Sequence, residues 1–530
     1  MVVGEIEIGF RLPKSCGAVS WAHGLLALLA FAIVLAPTRA MPNGWEHAAV
    51  PYSALIKALD FEQPGIRARA AQSLGFRGQR EAVEPLVGRL AIPEEDPLVR
   101  SAIYTALGRL DDERAIPVLA RCLSGEERPE LRADCAAALG RLGVPATLPP
   151  LLDAFDRDVS ILVRSRVVDA LGEYSDERAV STLAALVRED ANRSLRQRAI
   201  RSLGRTQSKD AAAVLLAALA QASSERERME LVTALGRSGA PEASAPLAQL
   251  LEEADDAAMR TQIVVALGAI RDGSAYPTLI AHLDDLAPSV RYFAVAALRD
   301  LGRAEAAGPI ASLSLGISDR LDRQSMAQVF DDPLRTLADL SLQEAALRAL
   351  VELDPRSGEA AFARAARKWD LPRDSSMALR IANAVYQVRR IALYGLGYTA
   401  SRQAAEILTG PWGLKDPDFR LRATAVRSLG VLGVPETVTG LLAALHDEAA
   451  EVRWTAATVL GRLEDGRAVE PLIERLADPS TETRKQAALS LGYLVAERAG
   501  PHLARLSETD ADPGVRAAAA YAATLLGGAQ

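Results

Sequence analysis

The chain has 530 residues, 49% of them hydrophobic but only 5% aromatic, and a formal charge of −7 from 61 basic and 68 acidic side chains. That balance gives no global field for nucleic acid or an anionic membrane. An apolar fraction carried by Ala and Leu rather than by rings excludes most sandwich and barrel folds and points to helices packed through small side chains.

In chain order, the first element is a leader. Arg11 and Lys14 precede the apolar run from Gly24 to Ala36, and Thr38 and Ala40 stand at the small-residue positions before a cleavage point. Residues 1–40 therefore read as a secretory signal peptide or, if uncut, as an N-terminal anchor, and a periplasmic or secreted location is expected. Glu5 and Glu7 are unusual for such a leader. Beyond it stand two cysteines, Cys122 and Cys135. They are read first as small buried apolar side chains; a disulfide is the alternative that an oxidising compartment leaves open.

From about residue 46 the chain repeats itself. Gly75, Gly108, Gly140, Gly172, Gly204, Gly236, Gly268, Gly397, Gly430, Gly461 and Gly492 each follow a Leu, and Arg299 and Thr524 extend the series, with steps of 31 to 33 residues outside one gap. That period fits one helical hairpin. The first half, helix A, is seen in Ala82 to Leu90 (AVEPLVGRL) and Ala468 to Leu476 (AVEPLIERL), each with a Pro where a first helical turn tolerates one. The second half, helix B, is seen in Val99 to Leu110 (VRSAIYTALGRL), with apolar or small residues at offsets 0, 4, 5, 7, 8 and often 11 from Val99. This makes a broad buried face. Offset 7 is small almost throughout (Ala106, Ala138, Ala170, Ser490), so helices are expected to come close there. The Gly at offset 9 then serves either a left-handed turn or a tight backbone approach.

One basic residue recurs one place after the first apolar position of helix B: Arg67, Arg100, Arg132, Arg164, Arg196, Arg228, Arg260, Arg291, Arg389, Arg422, Arg453, Arg484 and Arg516. Six residues upstream of nine of these thirteen stands an acid: Glu94, Glu126, Asp158, Asp190, Asp285, Asp416, Asp447, Asp478 or Asp510. A carboxylate in the turn between A and B accepts hydrogen bonds from free helix N–H groups and from a guanidinium fork. An anion-binding rail of arginines is disfavoured, because the matched acids cancel its field.

The order of acidic residue, Val-Arg, Ala-rich helix and Leu-Gly resembles the HEAT repeat family, in particular its phycobilin-lyase-type repeats. The resemblance implies an all-α, right-handed α-solenoid of about 14 helical hairpins, in which similar Asp and Arg positions form a ladder along the stack. Regular repeats are expected over 46–305 and 389–526, with degenerate repeats and insertions over 306–388. In the degenerate copy, Leu342 to Leu353, the Arg position holds Gln343. Extra residues are expected in loops near 316–333 and 368–377.

Offsets 2, 3, 6 and 10 of helix B lie away from the buried stripe; in HEAT-like stacks that side usually lines the concave surface. Early copies place there Arg166, Arg198, Arg201, Arg205 and Arg237 among Asp134, Asp169 and Glu173. Later copies place there Tyr292, Phe293, Tyr394, Tyr398, Trp454, Tyr493 and Tyr521. Those rings are the candidate anchors for a protein or peptide partner. No HExxH, Walker loop, GxGxxG or GxSxG occurs, so no catalytic, cofactor or metal residue is assigned. The expected function is a non-enzymatic exported scaffold that acts as a monomer, touching no nucleic acid and meeting a membrane only through an uncut leader. The alternative is a phycobilin-lyase-like chaperone or lyase acting on a chromophore-bearing protein.

Overall fold

The computed structural model describes residues 50–527 except 93–94, 190–191, 325 and 368–374. Residues 1–40, read above as a leader, lie outside the described residues. Those described form an all-α solenoid of helical hairpins with no strand among them, arranged in two compact units that divide between Ala240 and Pro241.

The hairpin at Glu113–Leu142 shows how the sequence builds a repeat. A single 3₁₀ turn, Glu113–Ala115, leads into the A helix Ile116–Gly125, with Pro117 in the first turn where its missing N–H costs nothing. After a short turn, Pro129 opens the B helix Pro129–Leu142. The B helix buries Leu131, Cys135, Ala136, Ala138 and Leu139, the stripe set by the offsets. Similar 3₁₀ turns precede A helices at Gly273–Ala275, Gly466–Ala468 and Glu497–Ala499, each ending on an Ala that is almost wholly buried.

Of the two uses open to the offset-9 glycine, tight approach is the one found. A Cβ added at Gly75 would lie 2.6 Å from Cα of Ala106; at Gly108 it would lie 2.7 Å from Cα of Ala138, and at Gly492 2.8 Å from Cα of Ala522. Each of these glycines therefore receives the offset-7 residue of the next B helix, which explains why both places are small. The left-handed residue comes three positions later. It is Gly78, Gly143, Gly239, Gly302 or Gly433, with φ between 60° and 68°, and in other copies Asp111, Arg271 or Glu464 with φ of 49° to 57°.

The stretch between the two regular arrays is built differently from the sequence expectation. Its added length goes into helices: Ala307–Arg323, Pro333–Leu353 and Ser376–Leu396 run for 17, 21 and 21 residues, against 14 for the regular B helix Phe419–Leu432. Most of residues 316–333 is therefore helical; in the other expected loop, 368–374 lie outside the described residues. The apolar periodicity continues through Ile317 and Leu321, both buried, so the helix propagates where a loop would expose them. Phe362 fills the space left by Gly395, whose added Cβ would lie 2.7 Å from the ring Cδ1.

Cys122 and Cys135 are joined as a disulfide, which corrects the first reading of two separate small side chains. One lies on the A helix and the other on the B helix of a single hairpin, with Cα atoms 6.3 Å apart. Thirteen residues of spacing leave that distance undetermined, because the inter-helix turn sets it.

Candidate functional site

Two sets of polar and aromatic side chains line the stack. The first is the series of arginines. Arg132 directs Nε to Oδ2 of Asp158 at 2.7 Å and Nη2 to Oδ1 at 3.0 Å, while its Nη1 donates to the carbonyls of Glu126 and Glu127 at 2.8 and 2.9 Å. The guanidinium therefore ties its own turn, through the backbone, to the carboxylate of the following turn. Arg260 with Asp285, Arg422 with Asp447, Arg453 with Asp478 and Arg484 with Asp510 repeat this fork. Each carboxylate also accepts the N–H two residues on, from Ser160, Ala287, Ala449, Ser480 and Asp512 in turn.

These contacts hold Asp158, Asp285, Asp478 and Asp510 ionised. The Arg132 fork keeps Asp158 below the ordinary carboxylate range, and the Arg484 fork does so for Asp510. At Asp285 and Asp478 burial is the largest single influence and pushes upward, but the Arg260 or Arg453 hydrogen bonds, the N–H of Ala287 or Ser480 and the ionic attraction together outweigh it, and the net direction is down.

The pairing is offset by one copy from the grouping visible in the sequence, and several members differ from expectation. Arg67 takes the buried Glu95, which also accepts from Arg89, whereas Glu94 lies outside the described residues. Arg100 reaches Glu126 through Nη2 alone at 2.6 Å. Arg389 and Asp416, both buried, are joined, and Arg389 Nε donates to the carbonyl of Ala366. Arg516, in the last copy, donates to the carbonyls of Asp510 and Ala511.

Four rungs do not close among the described residues. Arg164 stacks its guanidinium 4.8 Å over Phe155, and its Nε has no hydrogen-bond partner; Asp190, the acid in register with it, lies outside the described residues. Arg196 meets Ala222 where a turn acid would stand, and Glu227 is 3.9 Å away. Arg291 is left 3.8 Å from Asp339, a buried helical carboxylate that Arg320 approaches to 3.1 Å. Arg228 donates Nε to the carbonyl of Ala222 at 3.3 Å and has Ala254 at the next turn-acid position. The reason is local sequence: Ala222 and Ala254 each remove an acid, and the lengthened helices after Arg291 move the next acid out of the turn. Gln343, at the Arg position of the degenerate copy, donates to Ser318 Oγ at 2.5 Å.

The second set is the outward face of the B helices. In the first unit it is charged and paired in part, with Arg166, Arg201 and Arg237 exposed. Arg198 meets Asp169 at 2.5 Å, Arg205 meets Glu173 at 3.4 Å, and Gln197 donates to Glu230 at 3.1 Å. In the second unit it is aromatic. Tyr292, Phe293, Tyr394, Tyr398, Tyr493 and Tyr521 are between 37% and 55% exposed. The hydroxyls of Tyr394 and Tyr398 lie 2.7 Å apart, and this hydrogen bond raises the Tyr398 pKa. Tyr292 and Phe293 meet edge to face with centroids 5.3 Å apart. Trp454 departs from the sequence expectation: it is only partly exposed, so it contributes a wall to this face rather than a free ring. Among the described residues no group of three or more His, Cys, Asp or Glu side chains could hold a metal ion, and no helix is long and apolar enough to cross a membrane.

Hairpins of this period, closed by turn carboxylates and glycine contacts, define a helical-repeat protein, and the chain belongs to the HEAT repeat family. The family model for HEAT repeats matches residues 52–139, 122–194, 183–268, 375–451 and 438–524, well over half of the chain. A model for the PBS lyase HEAT-like repeat matches 259–285. No curated protein sequence matches the chain. Similar solved structures include Kap95p as it binds RanGDP, at 12% identity, covering 94% of this chain and 80% of that one with a TM-score of 0.48. Human deoxyhypusine hydroxylase with glycerol is 27% identical over 47% of this chain and 95% of its own, with a TM-score of 0.23. The CpcE–CpcF complex of phycocyanin lyase from Nostoc sp. PCC7120 is 20% identical over 50% of this chain and 97% of that one, with a TM-score of 0.32.

Proposed function

We propose that the chain is a non-enzymatic scaffold whose second unit holds an extended segment of another protein against the outward face of its B helices. The observation that carries this reading is the placement of six exposed rings at outward B-helix offsets in a chain that is only 5% aromatic. Tyrosine and tryptophan are favoured interface anchors because they offer large rigid area at small entropic cost. Packed helices lie about 8–10 Å apart, so Tyr493 and Tyr521, on successive B helices, suit an extended partner at roughly every third residue. A periplasmic or secreted location is supported by the leader residues Gly24 to Ala36 and by the Cys122–Cys135 bond, since disulfides persist in oxidising compartments. Mass spectrometry of the mature N-terminus tests the location; retention of residues 1–40 in a chain free of any membrane rejects export.

The binding reading is tested by replacing Tyr394, Tyr398 and Tyr493 with Ala and comparing capture of envelope proteins with that of the parent chain. Capture of the principal partner is expected to fall by roughly tenfold or more at an unchanged melting temperature. Equal capture by the folded variant rejects it. The PBS lyase HEAT-like match over 259–285 supports a second reading, a lyase-like protein acting on a chromophore-bearing partner. A saturable absorbance shift on adding a bilin to the purified chain would favour that reading over the scaffold.

A further inference from the structure

Each complete rung leaves a recognisable set of donors around its carboxylate: Nε and Nη2 of the preceding copy's Arg, and the N–H two residues after the acid. In the first unit one such set stands without the acid. Ala222 occupies the turn position; Arg196 precedes it by 26 residues, the same spacing as Arg132 to Asp158, and Ser224 follows it by two. Arg196 Nε is shielded from solvent and has no hydrogen-bond partner among the described residues. Beside this slot lies a cavity of about 280 Å³, bounded by Arg193, Arg196, Ser223, Ser224, Glu227 and Glu230. Glu230 also carries a buried oxygen, Oε2, without a hydrogen-bond partner among the described residues.

We propose that this cavity binds a small zwitterion of the α-amino acid class. Its carboxylate takes the place of the missing turn acid, on the Arg196 fork and the Ser224 N–H, and its ammonium group meets Glu227 and Glu230. The wall chemistry selects this class. Two arginines and two glutamates sum to no net charge, so a simple anion meets the repulsion of the glutamates and a simple cation that of the arginines, whereas a ligand carrying both charges satisfies each side. The volume sets an upper bound on the side chain, since it falls just below the roughly 300–1,000 Å³ of pockets that hold drug-sized ligands. The site belongs to the first unit and stands independently of the aromatic face of the second.

Isothermal titration of the full chain with L-alanine, acetate and ethylammonium tests the proposal. Saturable alanine binding is expected, with acetate and ethylammonium each weaker by roughly tenfold or more, as loss of one charge-assisted contact implies. Ala222→Asp supplies the carboxylate from within the chain; it is expected to abolish alanine binding and raise the melting temperature. Glu230→Gln is expected to weaken alanine while acetate binds more tightly, a readout that stands if the first variant fails to fold. Absence of saturable alanine binding overturns the proposal. So does acetate binding as tightly as alanine, or undiminished alanine binding by a folded Ala222→Asp chain.

Discussion

In the first unit, Arg198 and Arg205 on the outward B-helix face lie against Asp169 and Glu173 of the preceding B helix, so the charges are spent on neighbours. In the second unit the same face carries Tyr394, Tyr398, Tyr493 and Tyr521, whose rings leave 41% to 55% of their surface in water. The frame beneath is shared: Arg132 grips Asp158 in one unit as Arg453 grips Asp478 in the other. The difference teaches that stacking and recognition are carried by separate residue sets. One can vary while the other is kept.

The widest break in this comparison would come from unequal rungs. Asp158→Ala and Asp478→Ala each leave a largely buried guanidinium without its carboxylate, so each is expected to cost about 3–5 kcal/mol, read from urea unfolding of the full chain. A cost confined to one unit would show that the frame is not common to both. Next come the glycine contacts. Gly108→Ala and Gly492→Ala drive a methyl into the neighbouring B helix and are expected to destabilise by about 1–3 kcal/mol each, read in the same way.

Acid sharpens the comparison further. Asp158, Asp285, Asp478 and Asp510 have pKa values lowered in the folded chain, below the about 3.9 of an unfolded Asp. Their stabilisation is therefore complete above that value and is lost as pH falls through the lower folded values. Melting temperature is expected to hold above about pH 4 and to drop below it, and Asp158→Asn is expected to flatten part of that drop. The smallest effect belongs to the charged face. Arg198→Ala removes a partly exposed pair and is expected to cost about 0–1 kcal/mol, less in high salt. A large loss there would mean that this face belongs to the frame after all.

Much of the frame was legible in the sequence. The period, the two helices of each copy and the small residues at offsets 7 and 9 are local patterns, and a helix repeats its geometry wherever they recur. Which carboxylate an arginine holds was not legible, because Arg132 and Asp158 belong to different copies and only the stack brings them together. The same limit hid Glu95 as partner of Arg67 and Asp339 as the acid near Arg291. The lengthened helices are hidden in the sequence because a broken period looks the same whether the added residues form a loop or extend a helix; only the apolar spacing of Ile317 and Leu321 marks the helix. Trp454 shows the limit for the candidate site: an offset places a side chain on a face, but the neighbours decide how far it stands clear.

Arg453 holds its own turn by the carbonyls of Asp447 and Glu448 and the following turn by Asp478, and each complete joint uses the same plug and socket. Excising residues 447–477 would set Arg422 opposite Asp478 in the place of Asp447, so the fork itself needs no redesign. A gene encoding such joints is free to gain or lose modules by duplication and deletion, and the length of the array becomes a quantity that selection can adjust.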